Sequence, residues 1–114
     1  MSNNKEKKIS CVIDELYATI KDKKTADPTT SYTAQLYTKG RGFIARKIIE
    51  EAAEIMLAAT TENVDRLTEE SADILYHLTV LWAETGVAPC DVWHELNSRK
   101  GLSGIAERQS RPLI

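Results

Sequence analysis

Two pairs of carboxylates stand out in this sequence: Glu51 with Glu54, and Glu70 with Asp73. Within each pair the residues are three apart, so on a helix both project from one face. The two pairs are also symmetric about residue 62. If the chain turns back on itself there, Glu51 comes level with Asp73, and Glu54 with Glu70. Four acids then converge at one height. Glu50 extends the group, since Glu50, Glu51 and Glu54 fall within an arc of about 100°.

The surroundings of these acids are apolar. Between residues 48 and 59 the other positions are almost all Ile, Ala, Met and Leu, and a helix apolar nearly all round is expected to be buried. On the second segment Glu70, Asp73 and His77 form a stripe about 60° wide, with Leu67, Ile74, Val80 and Leu81 within or beside it. Four like charges there repel by several kcal/mol even at an effective dielectric of about 20. Burial penalises each ionised group further. A divalent cation removes both costs, and oxygen-only ligands with no cysteine nearby suit Mg²⁺ or Mn²⁺ rather than zinc.

Basic residues precede the acids. Arg46 and Lys47 lie one turn before Glu50 and Glu51, and Lys39 and Arg41 sit just upstream among glycines. Cations around a carboxylate-held metal are an arrangement for gripping a polyphosphate and stabilising its transition-state charge. Glu50, if left off the metal, could activate water. The plainer reading is a solvated face on which acids pair with Lys and Arg, each cation being an ordinary surface charge. His77 is open to two readings as well: a partner of Asp73 or a phosphate contact, or a hydrogen-bonded core histidine.

The elements that must position these residues are helical. Residues 9–20 repeat apolar positions on one helix face. The polar stretch 21–33 contains the breaker Asp27-Pro28 and the capping candidates Thr29, Thr30 and Ser31. A short helical piece over 31–39 carries Tyr32, Leu36 and Tyr37, and stops at a glycine-rich basic turn, 39–42. Long helices are expected over 43–60 and 64–85, joined by a tight connection at 61–63 and ended by Gly86 as C-cap. Antiparallel pairing of these two is the hairpin the acids require. Pro89 suits the first turn of a last helix, with Val92, Trp93 and Leu96 as its buried face and Gly101 as its stop. Tyr76, Trp82 and Trp93 read as core or interface residues away from the acidic stripe. The tail 102–114 has little periodicity and is expected to be loose.

With 114 residues and 12.8 kDa, the chain is expected to be one all-α domain, its core spanning about 9–101. Three prolines and five glycines agree with that class. Fifteen basic against seventeen acidic residues leave a net charge of −2, which argues against a nucleic-acid or membrane-surface binder. Cys11 and Cys90 have no zinc spacing and read as small core residues. No segment resembles a signal peptide or membrane span, so the expected location is the cytoplasm. A helical bundle is the expected architecture, and because a lone copy of this size is marginal in stability, a homo-oligomer is expected.

The run Glu50-Glu51-Ala-Ala-Glu54, followed after fifteen residues by Glu70-Ser-Ala-Asp73, resembles the EExxE…ExxD signature of the all-α, MazG-like nucleoside triphosphate pyrophosphatase superfamily. Within it the chain is most similar to the phosphoribosyl-ATP pyrophosphatase family of histidine biosynthesis. That closer likeness rests on Ser31-Tyr-Thr-Ala34, on Lys47 ahead of the Glu pair, on Ala72-Asp-Ile-Leu-Tyr-His77, and on Asp91-Val92 before Glu95-Leu96. Ile49 departs from the glycine common before the Glu pair in that family. The resemblance implies Mg²⁺-dependent hydrolysis of the α–β phosphoanhydride of phosphoribosyl-ATP, and a helical bundle completed by dimerisation, helices of two chains forming a homodimer. By position it implies that Glu51, Glu54, Glu70 and Asp73 bind metal, with Glu50 a further ligand or the water-activating base. Lys47, Lys39 and Ser31, Tyr32 and Thr33 would contact substrate. The alternatives are a house-cleaning nucleoside triphosphate pyrophosphatase using the same acids, and a non-catalytic helical dimerisation module.

Overall fold

The structure, a computed structural model, describes residues 12–101 and 104–111. Cys11 and the start of the expected helix at residue 9 lie outside the described residues, as do residues 102–103 and 112–114 of the tail. All regular structure among the described residues is helical: α1 (Val12–Asp22), a 3₁₀ turn (Lys23–Thr25), α2 (Tyr32–Lys39), α3 (Arg41–Thr60), α4 (Val64–Thr85), α5 (Pro89–Ser98) and α6 (Gly104–Ser110). No helix in it is long and apolar enough to cross a membrane.

The α3–α4 hairpin is the frame on which the rest is built. Three residues join its arms, and the turn is centred on Glu62, whose φ of 55° places it in the left-handed region. The Asn63 amide donates to the carbonyl of Ala58 at 3.0 Å, closing the end of α3. The Asn63 side chain then accepts from the Arg66 amide at 3.1 Å, satisfying a donor in the first turn of α4. At the far end Gly86, φ 86°, caps α4 in the left-handed conformation that favours glycine.

The short helix α2 is started by Ser31, whose hydroxyl accepts from the Ala34 amide at 3.1 Å. The expected glycine-rich turn at 39–42 contracts to one residue. Gly40, with φ 91°, ends α2 and begins α3. Gly42 lies inside the first turn of α3, which therefore starts two residues earlier than its apolar pattern indicated.

Ile20, Leu36, Ile44 and Val80 form the core, with Leu16, Tyr37, Phe43, Tyr76, Leu81 and Ala83 packed around it. One residue each from α1, α2, α3 and α4 thus meets at the end of the hairpin remote from the loop. The Tyr37 hydroxyl donates to the Ile20 carbonyl at 3.0 Å and ties α2 to α1.

Four expectations are corrected by this packing. First, α3 is not buried all round within one chain: Ile44 and Ala58 are buried, but Ile49 is 70% exposed, Met56 59% and Leu57 53%. A single chain has too few helices to cover every side of α3. Second, of the expected buried face of α5, only Val92 is partly covered, while Trp93 and Leu96 are exposed. Trp93 meets Trp82 edge-on at 6.2 Å between ring centroids. Third, Cys90 is exposed rather than in the core, because Pro89 takes the inward position at that turn. Fourth, part of the tail is ordered as α6, Gly104–Ser110. Good helix formers such as Ala106, Arg108 and Gln109 need no apolar periodicity to form it.

Candidate metal centre

The hairpin brings three of the four paired acids together. One carboxylate oxygen each from Glu51, Glu70 and Asp73 lies within 4.8 Å of the others. Glu51 comes from α3 and the other two from α4, as symmetry about residue 62 requires. The side chains of Glu51 and Glu70 are only 17% and 13% exposed, while Asp73 opens to solvent. Burial is the main reason that the Glu51 carboxyl is pushed up to about 7. A hydrogen bond to Glu70 and the charges of Asp73 and Glu70 act in the same direction, and Lys47 opposes them. Three crowded carboxylates, two of them largely sheltered from solvent, form a donor set suited to a hard divalent cation.

Glu54, the fourth acid, stands apart from this trio. Its Oε2 accepts from Nη2 of Arg66 at 3.0 Å, and the same nitrogen reaches Oε1 of Glu70 at 3.3 Å. Glu70 is therefore shared, with the trio on one side and Arg66 on the other. Glu50 is exposed and pairs with Lys47 at 3.3 Å, one turn earlier on α3. The plainer reading of the acids thus holds for Glu50 and Glu54, which do carry basic partners. It does not hold for Glu51 and Asp73, which have no Lys or Arg at ion-pair distance among the described residues.

A second group adjoins the acids. His77 is 6% exposed. Its Nδ1 lies 3.0 Å from the carbonyl of Asp73, one turn back on α4, and 3.9 Å from Oε1 of Glu51. A carbonyl only accepts, so Nδ1 carries the proton in the neutral ring, and Nε2 is left to accept from the Tyr32 hydroxyl at 3.1 Å. Both ring nitrogens are satisfied, which is the core-histidine reading, yet the ring sits directly beside Glu51. Its tie to Asp73 runs through the backbone, not the carboxylate.

Tyr76 corrects a further expectation. Its ring does not stand apart from this end of the stripe: it stacks on Tyr32 with centroids 6.2 Å apart and meets His77 edge-on at 5.1 Å. Its hydroxyl is hydrogen-bonded to Thr33. Tyr32 and Thr33 are thereby held against α4, with Tyr32 still 48% exposed. Ser31 serves the cap of α2 through its oxygen lone pair.

The basic residues gather around one ring. Nζ of Lys39 lies 4.5 Å from the centroid of Phe43, Cζ of Arg46 5.5 Å and Nζ of Lys47 5.7 Å. Cation–π attraction holds the three side chains at this ring, although their like charges repel. Arg41 instead pairs with Glu84 at 3.6 Å, which takes it out of that group. Two residues of this site escaped the sequence reading. Arg66 had a usable signal, its spacing of four from Glu70; Phe43 had none beyond being the lone phenylalanine.

Residues 13–100 match the sequence profile of the phosphoribosyl-ATP pyrophosphohydrolase family. The chain is 54% identical over 102 residues to a phosphoribosyl-ATP pyrophosphatase of Paramagnetospirillum magneticum, covering 90% of this chain and 94% of that relative. It is 50% identical over 107 residues to the enzyme of that name from Azospirillum brasilense, with 93% and 96% covered. A third, from Rhodospirillum rubrum, is 52% identical over 100 residues, with 88% and 86% covered.

Proposed function

The chain belongs to the phosphoribosyl-ATP pyrophosphohydrolase family, and on that premise we infer that it hydrolyses phosphoribosyl-ATP to phosphoribosyl-AMP and pyrophosphate, the second step of histidine biosynthesis. The observation that carries the reading is the cluster of Glu51, Glu70 and Asp73 on the facing sides of α3 and α4. Oxygen donors alone favour Mg²⁺, with Mn²⁺ the nearest substitute. Glu51, Glu54, Glu70 and Asp73 would hold the ion, which supplies Lewis acidity and offsets phosphate charge.

The protein's own groups have complementary tasks. Lys39 and Lys47 at the Phe43 ring offer positive charge to the polyphosphate. Glu50 on α3 accepts a proton from the attacking water; the water oxygen bonds to the α-phosphorus as the α–β bridge breaks and pyrophosphate leaves. For that, Lys47 must exchange Glu50 for phosphate, which is an easy exchange for a solvent-exposed pair. Tyr32, about half exposed, offers its edge to the ribose or phosphate. Thr33 and the buried His77 border the cluster and hold Tyr32 in place, while Ser31 fixes the helix that presents them.

The protein acts as a homodimer in the cytoplasm. The dimer reading is supported by the large apolar side chains that α3 leaves exposed, Ile49, Met56 and Leu57, since such a surface seeks cover. The reaction is tested by mass-resolved turnover of phosphoribosyl-ATP beside a panel of nucleoside triphosphates. Phosphoribosyl-AMP formed well ahead of any nucleoside monophosphate is the expected result. Comparable turnover of free dNTPs would overturn it in favour of a house-cleaning pyrophosphatase, and no turnover of either would favour the dimerisation module.

A further inference from the structure

Arg66 lies in the first turn of α4, where nothing in the reaction above calls for a cation. Its position is nevertheless specific. One nitrogen, Nη2, bridges Glu54 of α3 at 3.0 Å and Glu70 of α4 at 3.3 Å. It thus sits between two of the four acids of the EExxE…ExxD signature, on the loop side of the cluster of Glu51, Glu70 and Asp73. The guanidinium is half exposed, as is Glu54, whereas Glu70 is 13% exposed. A cation held on that sheltered carboxylate neutralises charge that the hairpin would otherwise carry unpaired.

A guanidinium and a divalent cation both satisfy carboxylate oxygens, and they do so exclusively when the geometry is shared. Arg66 on Glu54 and Glu70, and an ion among Glu51, Glu70 and Asp73, therefore draw on the same acids, with Glu70 common to both. We propose that Arg66 is the resident cation that Mg²⁺ must displace from Glu54 and Glu70, so that this residue sets the metal concentration at which the centre fills. The inference rests on the metal reading of the cluster and adds a positioning residue to it. Arg66 keeps the acids of the two helix arms together and yields them to the stronger, doubly charged ligand. Because its pair with Glu54 is exposed, release is inexpensive; because it is one arm of a bridge to Glu70, release is felt in the affinity.

The test is Mg²⁺ binding by isothermal titration calorimetry with the full chain, together with thermal melting with and without Mg²⁺. Arg66→Gln should bind Mg²⁺ at least about threefold more tightly than the parent chain. It should melt lower than the parent in EDTA and gain more from added Mg²⁺. A residue with only a structural role would change the EDTA melting and leave the dissociation constant alone. Arg66→Lys, which keeps the charge, should lie between the parent and Arg66→Gln in affinity. Arg99→Gln removes an equal charge paired with Glu95 on α5, and should leave the dissociation constant unchanged. Unchanged or weaker Mg²⁺ binding by Arg66→Gln overturns the proposal, as does equal tightening by Arg99→Gln. Failure of the parent chain to bind Mg²⁺ at all would instead overturn the metal reading on which it rests.

Discussion

The hydroxyl of Tyr32 reaches Nε2 of His77 at 3.1 Å, across 45 positions of sequence. With the donation from Nδ1 to the Asp73 carbonyl, it holds the histidine in one tautomer and clamps the start of α2 onto the acidic helix. Tyr32→Phe removes the donor and leaves a buried nitrogen without its partner. It is expected to lower unfolding free energy by about 1 kcal/mol. Urea unfolding measures this, and His77→Ala in the Tyr32→Phe background separates the pair from each single loss. Additive effects would show that the two rings do not cooperate.

The raised Glu51 carboxyl makes stability depend on pH in a stated direction. Its ordinary value is 4.5 and its folded value about 7. Between these the folded chain binds a proton at Glu51 that the unfolded chain releases, so this group's contribution to stability is greatest below 4.5. It is lost as pH rises towards 7 and is level above that. In EDTA the melting temperature should show this fall, and Glu51→Gln should lack it. Mg²⁺ competes with the same proton, so its affinity should climb through the same window.

The acids divide into two classes when each is replaced by its amide. Glu51→Gln and Asp73→Asn each relieve repulsion in the trio and should raise the melting temperature in EDTA while abolishing turnover. Glu54→Gln should abolish turnover as well, but cannot stabilise in that way, because Glu54 is paired with Arg66. A loss of up to about 1 kcal/mol is expected for this exposed pair. Differential scanning calorimetry of the three variants in EDTA separates the classes by sign.

Ser31 caps α2 through its side-chain oxygen. Ser31→Ala should cost about 1 kcal/mol of stability, and Ser31→Asn or Ser31→Asp much less. Urea denaturation of the three variants is sufficient. A Ser31→Ala variant as stable as its parent would show that α2 is held by Tyr32 and Thr33 rather than by its cap.

Much of this arrangement is legible in the sequence because it depends on local rules. The boundaries of α4 follow from the capping residues Asn63 and Gly86, and the level of the acids follows from symmetry about Glu62, the left-handed residue at the turn. What escaped depends on neighbours in space. Glu54 and Glu51 share one face on a helical wheel, yet the reach of Arg66 from the opposite arm gives one a basic partner and leaves the other in the trio. Tyr76 looks like a core residue until Tyr32 and Thr33 are folded onto it. The exposure of Ile49 and Met56 has a similar cause: helical periodicity identifies apolar positions but not how many helices one chain has available to cover them.

The most direct test is product analysis of phosphoribosyl-ATP turnover by the parent chain and Glu51→Gln, each with Mg²⁺ and with excess EDTA. If Glu51, Glu70 and Asp73 hold the catalytic ion, phosphoribosyl-AMP and pyrophosphate appear only for the parent chain with Mg²⁺. Products formed in EDTA, or at an undiminished rate by Glu51→Gln, would contradict that claim.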